Sequence, residues 1–152
     1  MKLLKAVRLD DSDERILGAE GGAAQDGDWL VSGGYAVCDL AEGHRIPQCH
    51  CRTTFITVGS FRRCTIAEIV EIDAVTYERL TDVLAQHFVE ALGAPSLAAA
   101  RSSAEDEMSY TADLAAGFPD ALWITVRRDV TAEGLGERYS VYKRLMIGAH
   151  KL

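Results

Sequence analysis

Residues 64–93 constrain the fold of this chain most, because a strand-like run passes there directly into an amphipathic helix. The strand-like part covers residues 65–72. Asp73 is a suitable N-cap, since its carboxylate can accept hydrogen bonds from the unpaired N–H groups of the first helical turn. Gly93 can adopt the left-handed conformation that ends helices, and Pro95 cannot continue one. The sequence therefore predicts a helix over residues 73–92 that packs on a sheet.

Residue steps of about 100° give this helix one apolar side. That side comprises Tyr77, Leu80, Val83, Leu84, Phe88, Ala91 and Leu92. His87 lies in its middle, where a histidine is either a neutral core residue or a group whose lowered pKa serves a site. The core role is the simpler interpretation, and His87 is the candidate catalytic residue of the chain.

Length and composition favour one globular domain. The 152 residues fit a single domain over 1–152, with 48% hydrophobic and 26% charged residues. The net charge of −7 argues against general nucleic-acid or anionic-membrane binding, which depends on clustered Lys and Arg. Three basic pairs are interpreted as solvated strand ends: Arg62 with Arg63, Arg127 with Arg128, and Lys143 with Arg144.

Three runs before the central unit predict strands, at residues 2–9, 29–38 and 53–58. The glycines after Ser32 interrupt the second run and predict a bulge or two short strands. The third run is rich in β-branched residues, and the turn after it leads into residues 65–72. We expect runs 53–58 and 65–72 to form a hairpin.

A second helix and a closing hairpin follow the central unit. Ser102 or Ser103, each with an acidic residue three positions later, resembles the start of a capping box, and Gly117 ends the helix. Residues 122–130 alternate between apolar and polar, and Tyr139 marks a returning strand. Because strands and helices are segregated along the chain, the predicted class is α+β. We expect a largely antiparallel sheet with two consecutive helices packed on one face.

Cysteine and histidine cluster in one part of the chain, comprising Cys38, His44, Cys49, His50, Cys51 and Cys64. Thiolates and imidazoles of this kind can hold zinc tetrahedrally. The spacing Cys49-His50-Cys51 is a C-x-C without a second pair at matching distance, whereas structural zinc sites usually present C-x₂₋₄-C pairs. The candidate zinc ligands are Cys49, His50, Cys51 and His44, and a small-residue core role is the alternative for Cys38 and Cys64.

Partner and location are predicted from composition alone. Trp29, Trp123, Tyr139 and Tyr142 provide aromatic surface that favours a homodimer or another protein partner. No apolar run approaches the roughly 20 residues of a membrane helix, and the net charge is −7, so we expect no membrane and no nucleic-acid partner. We expect a cytoplasmic protein whose four cysteines stay reduced.

Several framework segments carry a family likeness, namely residues 1–4 with 7–10, Trp29 with 31–33, 87–90 with 93–95, and 97–101. Together they resemble a small, uncharacterised bacterial family of unknown function. The resemblance covers most of the chain, implies a single cytoplasmic domain, and supplies no catalytic residues.

Three functions are consistent with these observations. The favoured one is a non-catalytic accessory or interaction protein, because a well-specified core is present without a recognisable catalytic motif. The first alternative is a small zinc-binding protein that uses the loop around Cys49. The second is an enzyme with His87 in a pocket beneath its helix.

Overall fold

A computed structural model describes residues 1–9, 12, 17, 22–37 and 50–143. Its strands are β1 (Lys2–Val7), β2 (Trp29–Val31), β3 (Phe55–Thr57), β4 (Arg63–Cys64), β5 (Ile66–Glu71), β6 (Trp123–Thr131) and β7 (Gly134–Tyr142). Two helices, α1 (Ala74–Leu92) and α2 (Leu97–Ala116), follow one another between β5 and β6, and a 3-10 turn covers Gly34–Ala36. The seven strands form a single sheet in the order β4-β3-β2-β1-β5-β6-β7, with all neighbours antiparallel. This arrangement confirms the α+β class.

The sheet is built around β1, its central strand. Leu4 lies opposite Leu30 of β2 and opposite Ile69 of β5, and all three side chains are fully buried. Leu3, the next residue, is also fully buried although neighbouring strand residues point to opposite faces. Both faces of the central strand are therefore covered.

Both helices pack on the face that carries Leu3. One hydrophobic cluster joins Leu3, Val31 and Ile56 of the sheet to Leu84 of α1 and Met108 of α2. A shared cluster of this kind is the packing that the sequence predicted for two consecutive helices.

α1 begins and ends where the sequence predicted, but the residues on its buried side differ from the predicted set. Asp73 is the N-cap and accepts from the N–H of Thr76, and Gly93 ends the helix with φ 68°. Val83 and Leu92 were predicted to be buried, yet they are 41% and 49% exposed. The buried residues are Leu80, Thr81, Leu84, Ala85, His87 and Phe88. Thr81 fits this side because its hydroxyl donates to the carbonyl of Tyr77.

The predicted start of α2 is wrong by several residues. The helix begins after Ser96, whose side chain accepts from the N–H of Ala99, and Ser102 and Ser103 are exposed interior positions. The alanines of residues 98–100 are strong helix formers, so the helix starts at the first available cap. Its end before Gly117 agrees with the prediction.

The predicted hairpin between residues 53–58 and 65–72 does not form. β3 pairs with β4, which is only two residues long, whereas β5 pairs with β1 and β6. β5 lies inside the sheet, where its alternate residues Ala67 and Ile69 are buried and its backbone N–H and C=O groups are paired by β1 on one side and β6 on the other.

The hairpin of β6 and β7 has the two-residue turn Ala132–Glu133 between Thr131 and Gly134. β6 pairs with β5 only at Trp123 and Ile124. Further along, the N–H of Arg128 donates to the carbonyl of Arg52 at 2.7 Å. The hairpin therefore curls away from β5 towards the segment that precedes β3, and this curl positions the polar cluster described next.

Candidate functional site

A polar cluster lies where the end of β2 meets α2 and the curled hairpin. Its members are Ser32, Glu107, Tyr110, Thr111, Arg128, Glu137 and Tyr139. We call it the Arg128 cluster. Arg128 was interpreted from the sequence as a solvated strand end, which is wrong because its side chain has no exposed area. Side chains alternate between the two faces of a strand, so Arg128 points to the same buried face as Ile124 and Val126. This alternation was the signal in the sequence that Arg128 is buried.

Arg128 uses all five of its side-chain N–H groups. Its Nε donates to Glu137 Oε2 at 2.7 Å. Nη1 donates to the carbonyls of Cys51 and Thr54 at 2.9 and 2.7 Å. Nη2 donates to the carbonyl and the hydroxyl of Ser32. Because a guanidinium has five N–H donors, this one is saturated by the protein and acts as a clamp between β2, the segment before β3, and β7.

Glu137 is held in its ionised form. Burial acts to raise the pKa of this carboxyl, but hydrogen bonds from Arg128 and Tyr110 and the Arg128 charge outweigh burial and lower it. The hydroxyl of Tyr110 donates to Glu137 Oε1 at 2.8 Å and lies 3.0 Å from the hydroxyl of Tyr139. Burial, followed by the bonds to Tyr139 and Glu137, raises the pKa of Tyr110. Tyr110 therefore stays a neutral donor.

Glu107 joins the turn after β2 to α2. Its carboxylate accepts from the N–H of Gly33 at 2.8 Å, and the hydroxyl of Thr111 accepts from the N–H of Ser32 at 2.9 Å. Burial raises the pKa of Glu107, the bond from Gly33 opposes this, and the Glu137 charge adds to it. The polar groups of the Arg128 cluster together connect the end of β2, α2 and the β6–β7 hairpin.

His87 lies in the core side of α1, as its position in the sequence predicted. The residue is 9% exposed and its ring contacts the Phe61 ring edge-on, with centroids 4.6 Å apart. Nε2 is buried and has no hydrogen-bond partner within the described part of the chain. Burial lowers the pKa of His87, and the charge of Glu90 opposes the shift. A surface cleft of about 340 Å³ nearby is lined by Leu80, Val58 and their neighbours but not by His87.

The zinc hypothesis is only partly covered by the structure. Cys38, His44 and Cys49 lie outside the described residues. Cys51 is fully buried and presents its carbonyl to Arg128, and Cys64 is buried with its thiol 3.0 Å from the carbonyl of Ile66. Among residues 1–9, 12, 17, 22–37 and 50–143, no three potential ligands converge. The zinc site therefore stays a prediction.

The outer edge of β7 is the third feature of interest. β7 has nine residues, pairs with β6, and forms one end of the sheet. Leu135, Val141 and Tyr142 are 43%, 36% and 51% exposed. Of the aromatic residues that suggested a dimer, Trp123 is 7% exposed, so Tyr142 is the one that provides an open aromatic surface here.

Fold and site together define a small α+β protein with a curled antiparallel sheet, a saturated arginine clamp and an exposed edge strand. The chain belongs to DUF6505, a family of unknown function, whose model matches residues 1–149. This agrees with the resemblance noted in the sequence. Neither the curated proteins nor the solved structures provided a match. Within the described residues, neither helix combines the length and apolarity needed to cross a bilayer.

Proposed function

We propose that this protein is a small non-catalytic interaction protein that forms a homodimer through β7. The observation that carries the proposal is the outer edge of this nine-residue strand, which has no neighbouring strand among the described residues, with Leu135, Val141 and Tyr142 exposed. An exposed edge presents unpaired N–H and C=O groups that readily pair with another strand.

The sequence of β7 supports pairing because two common protections of an edge strand are missing from it. Natural edge strands are blocked by charged side chains, lysine above all, by proline, or by shortening, and the charges of β7 are Glu137, which points inward to Arg128, and Arg138. Residues 134–142 contain no proline and no lysine, and the opposite edge strand, β4, has only two residues. Among the described residues, the sheet therefore ends on one side in a two-residue strand that residues 22–24 cover, and on the other side in the nine-residue β7.

The Arg128 cluster supports a non-catalytic role. Arg128 has every donor occupied by protein groups, and Glu137 is bound by Arg128 and Tyr110. A catalytic cation or carboxylate needs an unoccupied direction towards a substrate. Here both groups stabilise the base of the strand that we assign to the interface.

A cytoplasmic setting is part of the proposal. It is supported by Cys51 and Cys64, which are both present as thiols, as a reducing compartment would keep them. Thiol alkylation in intact cells, followed by mass spectrometry, tests this location.

The molar mass in solution tests the proposal. We expect light scattering coupled to size exclusion to give twice the mass of one chain at concentrations of tens of micromolar. Val141→Lys should shift the protein towards the monomer, because a lysine on an edge strand opposes strand addition. Val75→Lys is the matched control, since Val75 is 80% exposed on α1, far along the chain from β7.

Circular dichroism of both variants must show that the fold is retained. A native chain that stays monomeric at every concentration would overturn the proposal. If both lysine variants dissociate the dimer equally, β7 is not the dimer interface.

A further inference from the structure

The pairing pattern of the β6–β7 hairpin identifies which backbone groups face the open edge. In an antiparallel pair, opposite residues alternate between bonding to each other and bonding outwards. The N–H of Arg128 donates to the carbonyl of Arg52, so Arg128 and its opposite residue, Glu137, bond away from each other. By alternation, the outward-bonding residues of β7 are Leu135, Glu137, Tyr139 and Val141.

We infer that a second copy of this chain pairs its β7 antiparallel to this one, with Ser140 on the twofold axis opposite the partner's Ser140. The inference rests on the proposed function and adds the register of the interface. It commits to one occupant because residues 137–143 of the two chains then face one another with compatible side chains.

The opposed side chains in this register attract one another. Glu137 lies opposite the partner's Lys143, which brings a cation towards a carboxylate that Arg128 and Tyr110 already bind. Arg138 lies opposite the partner's Tyr142, a cation against an aromatic ring. Tyr139 lies opposite the partner's Val141, an aromatic against a β-branched residue. These side chains are at least partly exposed in the single chain, and Tyr142 and Val141 are among its exposed large hydrophobic residues.

Neighbouring registers are less favourable. Twofold symmetry and the bonding pattern require a residue to lie opposite its own copy. Centring the pair on Arg138 places two arginines directly opposite each other, and centring it on Glu137 does the same with two carboxylates, which is destabilising. Centring it on Tyr139 avoids like charges but pairs Leu135 with the partner's Lys143. Ser140 is the centre that avoids like charges and gives the opposite-charge pair.

Disulfide trapping tests the register. Because Ser140 bonds towards β6, it forms a non-hydrogen-bonded pair with the partner's Ser140, with Cα atoms about 4.5 Å apart. That separation permits a disulfide. We expect Ser140→Cys to be converted mostly to a covalent dimer under mild oxidation, with a 140–140 peptide identified by mass spectrometry. The native chain, treated in the same way, is the control for its own cysteines.

Arg138→Cys and Tyr142→Cys are matched controls for distance. Each would lie four residues, about 13 Å, from its own copy, so neither should form a symmetric disulfide alone. An equimolar mixture of the two should form a mixed disulfide, because these positions oppose one another in the inferred register.

The outcomes separate the inference from the proposed function. A native dimer whose Ser140→Cys variant does not cross-link, or whose Arg138→Cys variant does, overturns the register and leaves the homodimer in place. A native chain that is monomeric at every concentration overturns both.

Discussion

Arg128 is the largest side chain that is fully buried in the described residues, and it carries a charge. Removing a guanidinium from water is expensive unless charge and hydrogen bonds replace its hydration. Here one carboxylate, one hydroxyl and three carbonyls do so. The residue is therefore a structural requirement of the curl between β6 and the segment before β3.

Arg128→Met should lower the free energy of unfolding by about 3–5 kcal/mol, because it leaves Glu137 and buried carbonyls without their donor. Arg127→Met, one residue earlier and exposed, is the matched control and should change stability by at most about 0.5 kcal/mol. Urea unfolding at one fixed protein concentration measures both, since the proposed dimer would make stability concentration-dependent.

Adding Glu137→Leu to Arg128→Met should restore part of the loss, since no uncompensated carboxylate then remains. Equal stability of the two single arginine variants would contradict the clamp.

His87 is a second buried polar residue, but its environment differs. Its ring packs on Phe61, and Nε2 lacks a partner among the described residues. The lowered pKa follows from burial, which disfavours the charged ring. These observations favour the core role over the catalytic one.

His87→Leu should leave the free energy of unfolding unchanged or raise it by about 1 kcal/mol at neutral pH, because an unpaired buried nitrogen is removed. The folded pKa is lowered, so the unfolded state binds protons more readily and the native chain loses stability as pH falls through the ordinary histidine pKa. His87→Leu should reduce that loss, as measured by urea unfolding between about pH 7.5 and 5.5.

Gln86→Leu, at an exposed neighbouring position without a titratable group, should keep the native pH dependence. A large destabilisation by His87→Leu at neutral pH would show that the ring makes a polar contact the fold needs.

At the scale of elements, α2 illustrates how two plausible starts compete. Ser96 and Ser102 can each cap a helix, and the chain uses Ser96. The longer helix adds a turn that buries Ala100 and brings Arg101 into ion pairs with Glu78 and Glu105. Packing against α1 therefore decides the boundary.

Ser96→Ala should lower the free energy of unfolding by about 1 kcal/mol, because the N–H of Ala99 loses its acceptor. Ser102→Ala should be neutral or slightly stabilising, since alanine is the better helix former at an exposed interior position. Thermal or urea unfolding of the two variants decides between the starts, and a larger loss for Ser102→Ala would contradict the structure.

At the scale of the whole molecule, the sheet brings distant segments together. β2 and β7 are separated by three strands in the sheet order, yet Ser32 contacts both Arg128 and Glu137. Only a curled sheet allows this contact. The curl therefore makes the clamp possible, whereas the outer edge of β7 follows from its place as the last described strand in the sheet order.

The sequence by itself determined the class, α1 with both its ends, the end of α2, and the closing hairpin. These features depend on local caps, turns and periodicity, which act between residues a few positions apart. It also placed His87 correctly on the core side of its helix.

Only the tertiary structure decided the pairing of β5, the start of α2, and the burial of Arg128. The burial of Arg128 is explained only by its hydrogen bonds to the carbonyls of Cys51 and Thr54, which lie more than 70 residues away in the chain. Strand order and the burial of a charge depend on contacts between residues that are distant in the chain. The free energies of such contacts cannot be inferred from a local sequence pattern.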